Sequence, residues 1–185
     1  MHLRNSGKGF GLVMVFLHWL VAVAIFGLFG LGYYMVDLTY YDDWYQLAPD
    51  IHRSVGVLLF GIVLFRLGWR LADRLPAPLP NHSRFEIVAA HAAHWLLYIL
   101  IFVASVSGYL ISTADGSSID VFNWFTLPSV TGRARDLETI VGDVHYWSTW
   151  ALVALSLLHG LAAIKHHVID KDDTLRRILF PPPGH

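Results

Sequence analysis

Four apolar runs, each near the length a helix needs to cross a bilayer, constrain this chain more than any other feature. A helix rises about 1.5 Å per residue, so about 20 apolar residues span a hydrocarbon core of about 30 Å. The runs predict helices over about 12–36, 51–71, 85–111 and 142–166. The expected fold is all-α, a transmembrane four-helix bundle in one integral-membrane domain covering 1–185. Composition agrees: 15% of the 185 residues are charged, against about a quarter in soluble domains.

Arg4 and Lys8 before the first run give it the look of a secretory leader. The run continues from about Gly9 to Val36, too long for a leader core, with no small-residue cleavage site after it. It is read as a mature helix. The connection from Asp37 to Asp50 holds four acids and no Lys or Arg. Pro76-Ala-Pro-Leu-Pro80 bars further helix after the second run. The polar stretch 112–143, with Trp124, Phe125 and Pro128, is expected to lie on the membrane surface, and a short tail ends in Pro181-Pro-Pro183. There is no internal repeat and no soluble second domain.

Orientation follows from Lys and Arg in short loops, which favour the cytoplasmic side. In a four-helix topology Arg4, Lys8, Arg66, Arg70, Arg74, Arg84, Lys165, Lys171, Arg176 and Arg177 share one side. Arg53, Arg133 and Arg135 alone, amid many acids, fall on the other. Both termini are therefore expected to be cytoplasmic.

Histidines carry the chemistry. The last run holds His145 and His159, about 21 Å apart along a helix and about 40° short of four whole turns, so one face shows an imidazole near each end. An ionisable residue inside a membrane helix is a functional-site hypothesis by default. His18 on helix one shares the cytoplasmic depth of His159, and His52 at the start of helix two shares the outer depth of His145. Depth thus permits the pairs His18/His159 and His52/His145, and a haem iron takes one imidazole on each face. Without cysteine, thiolate haem, iron–sulfur clusters and covalent haem attachment are excluded. Zinc, the competing metal, wants four protein ligands or three plus water, commonly with a carboxylate or Cys. Helices one, two and four offer no internal acid apart from Asp143 at an end. Two haem centres between helices are therefore expected, with His18, His52, His145 and His159 as metal ligands.

Other residues stay open. His91 and His94 share a face three residues apart; His91 could compete for the inner iron, or both could serve as hydrogen-bond groups or meet a haem propionate or quinone carbonyl. Gly56, Gly142 and Gly160 leave room for flat rings or for close helix packing. Arg53 beside His52 is the best placed to neutralise an outer propionate; Arg66 and Arg70 could do so on the inner side, although topology alone accounts for Arg70 and Arg74. Trp19, Tyr33, Tyr34, Trp44, Trp95, Trp147 and Trp150 fit an interfacial aromatic belt. His166 and His167 fit snorkelling into headgroups, and His2, His82 and His185 read as surface or terminal residues.

His18-Trp-Leu20, His52-x-x-x-Gly56 followed by Arg66-Leu67 and Arg70, and His145 with His159 followed by Lys165-His-His167 and Lys171-Asp-Asp-Thr-Leu-Arg176 resemble the bacterial cytochrome b561 family over about Phe16 to Leu179. The dihaem core is similar to the cytochrome b subunits of membrane formate dehydrogenases and nickel–iron hydrogenases. The resemblance implies two b haems with the pairing that depth suggested, a place in the bacterial inner membrane, and electron passage between a periplasmic donor and the quinone pool. Its small stand-alone type further implies a superoxide:ubiquinone oxidoreductase. Arg133 and Arg135 offer a weak attraction for such an anion, though a solvated loop explains them better. The alternative is an anchor subunit relaying electrons from a separate periplasmic dehydrogenase. A proton-coupled transporter is disfavoured, since the helix interiors hold no acid relay.

Overall fold

The computed structural model describes residues 3–7 and 9–180, with the side chains of residues 135 and 137 excepted. Lys8, His2, His185 and Pro181–Pro183, singled out above, lie outside the described residues. Five helices form among the described residues: α1 (Leu12–Met35), α2 (Leu47–Ala72), α3 (Arg84–Ser112), α4 (Arg135–Val168) and the short α5 (Thr174–Leu179). The first four are long and apolar enough to cross a membrane. Their apolar side chains point outward in number: Phe16 is 62% exposed, Val23 69% and Leu158 63%. Such a surface needs lipid against it.

Local chemistry sets the helix ends. Pro49 and Asp50 sit in the first turn of α2, where a missing N–H costs nothing and an acid meets the positive end of the dipole. A reciprocal cap starts α3: Ser83 N donates to Glu86 Oε2 at 2.9 Å, and Glu86 N donates to Ser83 Oγ at 3.2 Å. The fourth helix carries Asp136 and Glu138 in its first turn and Lys165, His166 and His167 in its last. Helix α2 begins at Leu47 and α4 at Arg135, both before the apolar runs; in α4 the added turns carry Asp136 and Glu138.

The chain divides into two compact units, residues 1–22, 62–97 and 154–185 in one, and 23–61 with 98–153 in the other. In the first unit, Asn5 N donates to Asp73 Oδ2 and Asn5 Oδ1 accepts from Gly11 N, folding the leading segment over the start of α1. A Cβ on Gly11 would collide with the backbone of Leu3 and Arg4, so only glycine fits there. Trp19 Nε1 donates to the Ile178 carbonyl of α5 at 3.0 Å.

The second unit contains what the sequence did not foretell, an antiparallel hairpin of β1 (Ile119–Val121) and β2 (Phe125–Leu127). Phe122 and Asn123 turn it with φ of 50° and 57°, the left-handed pair of a hairpin turn that Asn tolerates and Phe rarely adopts. Ser54 Oγ on α2 straps the hairpin down, donating to Asp120 O and accepting from Phe122 N, both at 3.3 Å.

Candidate haem-binding sites

In the first unit, His18 from α1 and His159 from α4 face each other with ring centres 6.3 Å apart at 64°. In the other unit, His52 from α2 and His145 from α4 stand 6.2 Å apart at 76°. Two imidazoles bound end-on to one metal by bonds of about 2 Å, with ring centres about 1.1 Å behind the nitrogens, stand about 6.2 Å apart. Both pairs have ring centres at that spacing.

The His52/His145 pair is held from behind. His145 Nδ1 lies 2.8 Å from the Ala104 carbonyl and 3.3 Å from Ser107 Oγ on α3. A carbonyl only accepts, so Nδ1 carries the proton and Nε2 keeps its lone pair for a metal. The Leu28 carbonyl of α1 faces the His52 ring. Two glycines let the rings seat: a Cβ on Gly108 would stand 3.0 Å from His145 Cε1, and one on Gly32 would stand 3.1 Å from His52 Cε1. A cavity of about 1400 Å³ surrounds this pair, lined by Gly56, Tyr109, Gly142 and Trp150 among others. That exceeds the roughly 300–1,000 Å³ of ordinary small-ligand sites and suits a macrocycle. Arg53 also lines it, while its guanidinium pairs with Asp50 Oδ1 and the Pro49 carbonyl.

The His18/His159 pair has different neighbours. Arg66 Nη2 lies 3.2 Å from His18 Nδ1; a guanidinium can only donate, so Nδ1 accepts here, and the ring has to release this contact before Nε2 can offer a lone pair to a metal. His94 joins the group, its ring centre 5.1 Å from that of His159. Its neighbour His91 is turned away, exposed, with Nδ1 2.8 Å from the Ile87 carbonyl of its own helix. Of the two α3 histidines, then, His94 and not His91 lies beside the His18/His159 pair.

Sequence reasoning missed Gly32 and Gly108. Gly56, Gly142 and Gly160, singled out instead, have open space where a Cβ would stand. Two further histidines differ from expectation: His82 and His166 have side chains only 16% and 15% exposed, with ring centres 4.8 Å apart, because acids at 170 and 172 draw them inward.

The model of the prokaryotic cytochrome b561 family matches residues 9–181. The chain belongs to the prokaryotic cytochrome b561 family. It is 45% identical over 179 residues to cytochrome b561 homolog 2 of Escherichia coli (strain K12), covering 97% of this chain and 95% of that one. It is 25% identical to the probable superoxide oxidase CybB of Yersinia pestis, covering 93% and 96% of the two chains. Cytochrome b561 homolog 1 of Escherichia coli (strain K12) is 24% identical, over 92% of this chain and 96% of that one. As a cytochrome b561 the protein is a multi-pass bacterial membrane protein that transfers electrons, in a family that binds haem b.

Proposed function

We propose that this cytochrome b561 is one integral-membrane domain of the bacterial inner membrane holding two b haems, one on His18 and His159, the other on His52 and His145. The observation that carries the reading is that each pair presents its rings at 6.3 and 6.2 Å, a spacing fit for one metal ion. Bound haem supplies a one-electron iron couple. The protein's own groups do the rest. Ala104 fixes the proton of His145, Gly32 and Gly108 give the outer rings their seats, and Arg66 sets a positive charge beside His18. The charge asymmetry of the loops supports cytoplasmic termini, with His18 and His159 toward the cytoplasm.

The favoured reaction is superoxide:ubiquinone oxidoreduction, supported by the likeness to a probable superoxide oxidase. Two superoxide anions each give up one electron and leave as dioxygen. Ubiquinone takes both electrons with two protons and becomes the quinol. Purified protein under a superoxide flux should show its haem bands reducing and then pass electrons to added quinone. Haem counted per chain by pyridine haemochrome should give two. Unchanged spectra under that flux would remove superoxide as donor, and one haem per chain would remove the double pairing.

A further inference from the structure

We propose that His82, His166 and Asp172 form a binding site for a divalent transition metal, zinc being the best match, separate from the haem sites. His82 lies in the connection between α2 and α3, His166 in the last turn of α4, and Asp172 just beyond it. All three belong to the same unit. Their donor atoms lie within 4.8 Å of one another.

One oxygen organises the cluster. Asp172 Oδ2 stands 2.9 Å from His82 Nε2 and 3.2 Å from His166 Nδ1. The other oxygen, Oδ1, is already engaged by Thr174 N at 2.8 Å, which fixes the carboxylate's rotation and turns Oδ2 toward both rings. Tetrahedral zinc with bonds of about 2.0–2.1 Å sets its donors about 3.3 Å apart, so these separations need little adjustment. Asp172 is 5% exposed, which keeps bulk water from competing.

Two features favour a cation over a plain hydrogen-bonded cluster. His166 Nδ1 is buried and makes no hydrogen bond of acceptable geometry, although carboxylate oxygens of Asp170 and Asp172 lie at 2.8 and 3.2 Å. Three carboxylates also gather around His166, those of Glu86, Asp170 and Asp172, and the Lys165 ammonium lies 3.4 Å from Glu86 and 2.6 Å from Asp170. With Lys165 holding Asp170, the fourth position falls to water or to the Thr174 hydroxyl, 3.3 Å from His82 Nε2. Two imidazoles, one carboxylate and no thiolate suit zinc and exclude soft-metal preference. Such an ion would pin the α2–α3 connection to the end of α4.

The test uses tag-free holoprotein in detergent, equilibrated with one equivalent of zinc chloride and passed through gel filtration. Elemental analysis reads zinc and iron per chain together. Wild type and a His167→Ala control should retain one zinc per chain. His82→Ala and Asp172→Asn should bind at least tenfold more weakly, with iron unchanged as the check that the fold persists. If either variant loses iron, zinc-edge X-ray absorption on the wild type decides: two imidazoles with light oxygen donors support the site, and any other imidazole number overturns it. Retention of no zinc by the wild type, or equal retention by His82→Ala, also overturns it.

Discussion

Nδ1 of His145 lies 2.8 Å from the carbonyl oxygen of Ala104, so the backbone of α3 accepts a hydrogen bond from an imidazole carried by α4. This bond sets the ring's tautomer and its plane, and Gly108, four residues on from Ala104, leaves the space the ring needs. Gly108→Val should therefore displace the ring and lower bound haem from two per chain to about one. Gly27→Ala, in open space, should leave the count at two. Pyridine haemochrome against protein concentration reads both.

His94 and His18 both neighbour His159, and they should behave differently. The His18 ring stands at the spacing of a metal-bridged pair, whereas the His94 ring centre, at 5.1 Å, is too near for one. His18→Ala should lose one haem, and His94→Ala should keep both. Reduced-minus-oxidised spectra distinguish these outcomes, and loss of a haem in His94→Ala would reassign the ligand.

The guanidinium of Arg66 sits 3.2 Å from His18 Nδ1 and favours whichever oxidation state carries less positive charge. Arg66→Gln should lower the midpoint potential of the inner haem by roughly 30–60 mV, corresponding to about 1 kcal/mol for one electron. Arg66→Lys should recover most of it. A redox titration showing equal potentials in all three proteins would contradict this.

Ser54 is 2% exposed and serves both a carbonyl and an amide of the hairpin. Ser54→Ala should cost about 1 kcal/mol and leave those two groups unmet. Faster amide exchange at Phe122 and earlier protease cutting near residues 119–127 should follow, with the inner haem spectrum unaltered.

Asp42 offers a pH test outside the membrane. Hydrogen bonds from the Thr39 hydroxyl and then the Thr39 amide, each 2.7 Å, hold its carboxyl below the ordinary value. A folded value below the unfolded one means the turn's support is present above about pH 3.9 and is lost as pH falls through the lowered value. The Thr39 amide resonance should shift over that range, and Asp42→Asn should abolish the titration.

The four long helices and the facing histidine rings were legible because each announces itself locally: apolar length marks a span, and depth along a span limits which imidazoles can meet. Gly32 and Gly108 were not, since what makes them necessary is a ring on another helix, at no fixed spacing in sequence. His91 and His94 could not be separated, because three residues of helix leave them about 60° apart on one face. Only α4 beside them chooses His94. Strands of three residues such as Ile119–Val121 carry too short an alternation to read, and an acid two residues from another gives no sign that Asp172 gathers His82 from 90 positions away.

The indole of Trp19, next to His18, gives its proton to Ile178 near the end of the described chain. Ribosomes deliver residues in order, so α1 is made and can insert long before that acceptor exists. The segment bearing His18 thus receives this partner only after α4 has been made, and a transcript cut short before residue 178 would yield a protein whose first helix lacks that bond.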